Sequence, residues 1–176
     1  MKKQLLFKRN QKGITLIEAL LVLGLGIAII AYGLISYGGA QDKNKLGEES
    51  RNISLLKSNI EDRYRASSTS EEGLDNVIAV QGGLIPKNIK SKPDGSIVNG
   101  FGGAVLVGVS GTDGYFIEYA KVPSSICTAL VTNFQKEFSS IVIGGTTIQP
   151  TSTQSVITPA CSATPELVVR FITDQA

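Results

Sequence analysis

Lys12-Gly13-Ile14-Thr15-Leu16-Ile17-Glu18 opens an almost unbroken apolar run that continues to Tyr37 in this chain of 176 residues. Ahead of the run stand Lys2, Lys3, Lys8, Arg9 and Lys12 with no acid among them, a local charge of +5. From Ile14 to Tyr37 the only charged residue is Glu18. As a helix this stretch would reach about 36 Å at about 1.5 Å per residue, enough to cross a hydrocarbon core about 30 Å thick. Asp42, Lys43 and Lys45 behind it nearly balance, so the positive-inside rule places residues 1–13 in the cytoplasm and the body across the membrane. A secretory signal would have a shorter apolar core and a small-x-small cleavage site, whereas Ala40-Gln41-Asp42 offers a poor one. A carboxylate early in the run is foreign to a plain signal or anchor and marks Glu18 as functional.

The rest of the composition narrows the chemistry. Of 17 basic residues five lie in 1–13, leaving 12 against 15 acids, a body of net charge −3. Such a body does not suit nucleic acid, whose phosphates need clustered Lys and Arg. With no histidine the commonest general base and metal ligand is missing, and no CxxC pair, acidic calcium loop or nucleophile elbow replaces it. No enzyme activity and no cofactor or metal are expected. The two cysteines, Cys127 and Cys161, fall in the exported part, where a disulfide is the default.

Gly13-Ile14-Thr15-Leu16-Ile17-Glu18 resembles the processing site of type IV prepilins and their pseudopilin relatives. The resemblance implies cleavage by a prepilin peptidase between Gly13 and Ile14, N-methylation of Ile14, and an assembly role for Glu18, which matches the family glutamate. A first mature residue other than phenylalanine, here Ile14, is typical of the type IVb branch, and the chain looks like a major pilin of the bundle-forming kind. A mature Ile14 would carry an amine and Glu18 a carboxylate. Among packed apolar helices that carboxylate is poorly solvated, so the amine of a neighbouring subunit can neutralise it and set axial register.

Gly24, Gly26, Gly33 and Gly38-Gly39 interrupt the span, each costing roughly 1 kcal/mol in a helix interior. Close helix packing explains Gly24 and Gly26, and Gly38-Gly39 stays open between packing and local unwinding. Beyond the span Leu46, Ile53, Leu56, Ile60 and Tyr64 make a helical stripe, with Glu48, Glu49, Arg51, Lys57, Glu61 and Arg63 on other faces. One helix from about Ile14 to Arg65 is predicted, ended by Ser67-Ser68-Thr69-Ser70, its second half packed on the body. Glu48-Glu49 and Glu71-Glu72 are read as solvated, and the sequon Asn52-Ile53-Ser54 as chance.

In the head, Leu74 to Ile85 resembles the loop that follows the long helix in pilins, and Lys92-Pro93-Asp94-Gly95 is a turn. Asn99-Gly100-Phe101-Gly102-Gly103, similar to a stretch of type IVb pilins, leads into a strand over 104–109, whose hairpin partner is 115–119. Ser124 or Ser125 caps a helix with Ile126, Cys127, Leu130, Val131, Phe134 and Phe138 on one face. Ser140–Ile143 is a short strand, 151–155 a solvated loop and Glu166–Ile172 the closing strand. The span between Cys127 and Cys161 resembles the disulfide-bounded C-terminal region of type IVb pilins; a bridge there would contribute roughly 3–4 kcal/mol.

The expected fold is therefore α+β, of the type IV pilin kind, with a long N-terminal helix on an antiparallel sheet. The expected organisation is a leader (1–13), a membrane or filament-core segment (14–40) and a head (41–176). Implied partners are further copies of the chain, the prepilin peptidase and the inner-membrane assembly machinery, with no nucleic acid. The implied end state is an extracellular pilus used for adhesion, bundling or conjugation. The alternatives are a minor pilin, a secretion pseudopilin, or a monomeric anchored protein that binds an envelope partner.

Overall fold

Helix α1 runs from Leu16 to Ala66, 51 residues, in a computed structural model described over residues 15–66, 73–111 and 114–174, and by backbone alone at 34–42 and 64–66. Gly13, Ile14, the serine-rich run at 67–70 and Glu71-Glu72 lie outside the described residues. Thr15 starts the helix, its carbonyl accepting from the amides of Glu18 at 3.0 Å and Ala19 at 3.1 Å. No proline interrupts the helix, because the first in the chain is Pro86.

The chain falls into two compact units, Met1–Ala40 and Gln41–Ala176. In the first, the window Leu16–Gly33 has the length and composition of a membrane span, and none of it is buried. Leu20, Leu21, Leu23, Leu25, Ile27, Ile29 and Ile30 are all more than 60 % exposed, so apolar side chains point outward on every face. A helix apolar all round is built to be surrounded, by lipid or by other helices, and not to lie on one surface.

In the second unit α1 becomes amphipathic. Ile53, Leu56 and Ile60, at spacings of three and four, have no exposed surface and join one continuous core. After α1 comes a short helix, α2 (Asn76–Gln81), where a loop was expected. Its start is signalled locally: Asp75 caps it, accepting from the Ile78 amide at 2.7 Å. β1 (Lys90–Ser91) and β2 (Ile97–Val98) then pair around the expected turn, closed by Gly95 donating to Lys92 at 3.0 Å with φ at +86°. That φ suits glycine.

The main sheet uses β3 (Val105–Ser110), β4 (Gly114–Pro123), β5 (Ser140–Ile143), β6 (Thr146–Ile148) and β7 (Glu166–Asp174). Its order is β3-β4-β7-β5-β6, every described pairing antiparallel. The last strand of the chain therefore sits at the centre of the sheet. Val105 and Val107, Tyr115, Ile117 and Tyr119, and Leu167, Val169 and Phe171 fill the inner face by alternation. A bulge between Tyr119 and Val122 resets the alternation so that both face inward, and it places Lys121 at φ +57°. On the outer face Arg170 bonds Glu118 across strands at 2.6 Å and lies 4.6 Å from the centre of the Phe116 ring.

Helix α3 (Ser124–Phe134) buries Ile126, Cys127, Leu130, Val131 and Phe134. Phe138, expected on the same helix face, lies past its end. It is still buried, packed edge-on against Phe134 and tilted against Phe171 at centroid distances of 6.0 and 5.1 Å. A second departure is α4 (Gln154–Cys161), which occupies part of the stretch read as a solvated loop. Its apolar side, Ile157, Ala160 and Cys161, is buried despite the surrounding serines and threonines.

Candidate functional site

Two places on α1 carry carboxylates in unusual settings. The first is Glu18, in the opening turn of an otherwise uncharged span. Its side chain is exposed, and the Thr15 hydroxyl approaches Oε2 only at a long 3.5 Å. An acid in a first turn is favoured by the unpaired amides of the helix start. No cation within the described span offsets it, so Glu18 is a charge presented outward on a surface that is otherwise wholly apolar.

The second is Glu49, and it corrects the sequence reading. Glu49 is 3 % exposed and its neighbour Asn52 1 %, so neither lies on a solvated face. Glu49 Oε1 accepts from the Gly100 amide at 2.9 Å and from Asn52 Nδ2 at 3.1 Å. Asn52 Oδ1 in turn accepts from Asn88 Nδ2. A glycan on this asparagine is thereby excluded, in line with reading the sequon as chance. Glu49 Oε2 and the neighbouring Tyr119 hydroxyl are both buried, and neither meets a well-formed hydrogen bond.

Burial pushes the Glu49 carboxyl above its ordinary value, and the charge of Glu48 adds to this; the bonds from Gly100 and Asn52 and the nearby Tyr119 act in the opposite direction. Tyr119 is pushed well above the usual phenol range, first by burial and then by Glu49. The signal was present in the spacing. Position 49 lies three beyond Leu46 and four before Ile53, the place that the stripe otherwise skips.

The loop that meets Glu49 is built by Asn99. Its Oδ1 accepts from the amides of Phe101 at 3.0 Å and Gly103 at 2.9 Å, and its Nδ2 donates to the Ala120 carbonyl at 2.8 Å. Gly103 packs so closely on the bulge that a Cβ there would stand 1.9 Å from Ala120 O. A similar device closes the edge of β3. Asn76 accepts from the Val107 amide at 2.6 Å and donates to the Val105 and Gly95 carbonyls at 2.9 Å each. Its amide thus stands where a neighbouring strand would pair.

The expected disulfide is present. Cys127 in α3 and Cys161 at the end of α4 are bonded, with Cα atoms 5.5 Å apart and both side chains buried. Gln135 braces the same region, its Nε2 donating to the carbonyls of Gln149, Pro150 and Ser152. Among the described residues no group of His, Cys, Asp and Glu side chains could hold a metal ion.

Comparison with known proteins agrees with this architecture. The family model described as PilS N terminal matches residues 43–173. A relative from Escherichia coli O111:H-, named as the major structural subunit of bundle-forming pilus, is 28 % identical over 93 % of this chain and 92 % of its own. A protein of the same name from Escherichia coli O127:H6 is 30 % identical over 75 % of this chain and 69 % of its own. Among solved structures, a type IV b pilin from Salmonella typhi superposes with a TM-score of 0.58 at 21 % identity, covering 73 % of this chain and 99 % of that one, which establishes the fold. The chain has the fold of a type IV b pilin and belongs to the PilS N-terminal family of structural pilin subunits.

Proposed function

We propose that the chain is made as a membrane-inserted prepilin and ends as one of many identical subunits in an extracellular pilus. Residues 1–13 are the cytoplasmic leader. A prepilin peptidase cuts between Gly13 and Ile14 and methylates the new amine, residues 14–40 hold the subunit in the inner membrane, and 41–176 form the exported head. The assembly machinery then moves the span from lipid into a filament core, where Glu18 meets the Ile14 amine of another copy. Adhesion, bundling or conjugation is the use of the finished filament.

One observation carries this reading: Leu16–Gly33 is apolar on every face, wholly uncovered by its own fold, and carries Glu18 as its one charge. A simple anchor gains nothing from that carboxylate, whose burial in hydrocarbon costs about 2.5–3.5 kcal/mol at the bilayer centre. A polymerising helix gains a charge pair that fixes its neighbour's height. N-terminal sequencing of the mature protein is the test of processing, with methyl-isoleucine at Ile14 expected and any other start refuting it. Glu18→Ala should still insert in the membrane yet yield no filaments; filaments in normal number would remove Glu18 from assembly.

A further inference from the structure

Glu49 is the first buried residue of α1 after the span among the described residues, and the seat it occupies has features that a merely structural glutamate does not need. A carboxylate is strongly disfavoured in a dry site unless a cation or a full set of donors meets it. Among the described residues no lysine or arginine forms an ion pair with Glu49. The charged and titratable groups that face it are Glu48, from its own helix, and the Tyr119 phenol, from β4. Loop 99–103 offers it the Gly100 amide alone, and Asn88 reaches it only through Asn52. Both N–H donors are spent on Oε1, so Oε2 is where a proton belongs.

The loop is held at two ends. Asn99 and Gly103 fasten it to the β4 bulge, while the Gly100 amide fastens it to Glu49. Gly100 packs so closely on the carboxyl that a Cβ there would stand 2.5 Å from Glu49 Oε1. Before Glu49, residues 43–48 of α1 are exposed except for the half-buried Leu46. The grip of the head on this end of its helix therefore runs through two side chains, Leu46 packed against the core and the Glu49 carboxyl bonded to loop 99–103.

We propose that Glu49, Tyr119 and loop 99–103 form a proton-controlled latch between helix α1 and the head. With the carboxyl protonated the latch is closed. When the proton passes to solvent, the bare carboxylate is left with two N–H donors, the nearby Tyr119 hydroxyl and no cation, and it recovers hydration by parting from loop 99–103. The first head turns of α1, residues 43–50, then lose their hold. The head of this subunit thus has a helix end whose docking depends on the acidity outside the cell.

The sign follows from linkage. Glu49 ionises at higher pH when closed than when open, so closure is fully favoured below the ordinary value of 4.5 and weakens above it. The opening constant should rise about tenfold per pH unit from there and level off once the pH passes the closed-state pKa. Hydrogen–deuterium exchange of the full-length chain in detergent, followed from pH 4 to 9 and corrected for intrinsic exchange, reads this directly. Peptides covering 43–50 and 99–103 should open together along that curve, while β7 stays protected.

Glu49→Gln, which cannot ionise, should flatten the curve at its low-pH level. Tyr119→Phe removes the neighbour that lowers the Glu49 pKa and should carry the levelling-off to higher pH. A flat wild-type curve overturns the latch, as does an unchanged curve in the glutamine variant. Should Glu49→Gln fail to fold, the wild-type curve and its displacement in Tyr119→Phe still decide.

Discussion

Removing the Cys127–Cys161 bridge by the double change Cys127→Ala/Cys161→Ala tests the energetics of the head most directly. The bonded residues are 34 apart in sequence, and closing a loop of that size lowers the entropy of the unfolded chain by an amount equivalent to about 3.8 kcal/mol at 25 °C. The folded head needs the bond little, because β5 and β6 inside the loop are tied to β7 outside it, and Gln135 braces 149–152. The loss should therefore fall mostly on the unfolded side, with the fold retained. Two buried sulfurs also disappear, which adds about 1 kcal/mol of lost packing. A total near 5 kcal/mol is a large part of the 5–15 kcal/mol that stabilises a typical domain.

The chain has no tryptophan, so near-ultraviolet circular dichroism of the buried Tyr115 and Tyr119 is the suitable probe of unfolding in urea. With a slope of about 1–3 kcal/mol per molar urea, the midpoint should fall by roughly 2 M or more. The native spectrum in buffer should be preserved. A midpoint lowered by less than roughly 0.5 M would refute the loop-entropy reasoning and show that packing alone holds α3 against α4.

Gly103→Ala should destabilise the head by about 3 kcal/mol or more in thermal melts, since its Cβ would meet the backbone oxygen of Ala120 and not a yielding side chain. A variant melting within a degree or two of wild type would show that the bulge can give way. Asn76→Ala leaves the Val107 amide and the Val105 and Gly95 carbonyls without their partner and should cost about 2 kcal/mol by urea titration, whereas a change below roughly 0.5 kcal/mol would mean that water replaces the side chain freely. Arg170→Ala, by contrast, should cost less than about 1 kcal/mol, because that pair sits on the wet face of the sheet. Global stability should fall as the pH rises above 4.5, by a component that Glu49→Gln abolishes; equal urea midpoints for the two proteins at every pH would contradict the assigned direction.

Much of this architecture could be read from residue order, and the exceptions share a physical cause. Helix α1 was legible because an apolar run of membrane length, followed by a helical stripe from Leu46 to Tyr64, outweighs a handful of glycines. Strands β5 and β7 were legible from β-branched runs flanked by turns. Helices α2 and α4 were not. Each is under nine residues, too short for periodicity to speak, and α4 contains Pro159 within a serine- and threonine-rich stretch that composition alone assigns to a loop. Tertiary burial of Ile157, Ala160 and Cys161 decides the matter there.

Glu49 failed for the opposite reason. Its place in the stripe was visible, but a carboxylate is normally solvated, and no local pattern announces an amide donor arriving from 51 residues away. Asn76 is the same kind of case, because its partners lie 29 and 31 residues on. Gly13 and Ile14 remain readings from the motif, and Glu18 is seen only as the outward charge that the motif led one to expect.

Asn76 also has a consequence for how many copies can live side by side. On the proposed function, subunits waiting in a membrane would be crowded in two dimensions and share one orientation, which would bring like edges of their sheets within reach of each other. A bare β3 would offer its neighbours an open ladder, and mispaired heads would be withdrawn from the pool of usable subunits. One carboxamide occupies part of that ladder from within the same chain. This outer strand, unlike β6 at the opposite edge, can thus be displayed at high density with part of its pairing capacity already spent within its own chain.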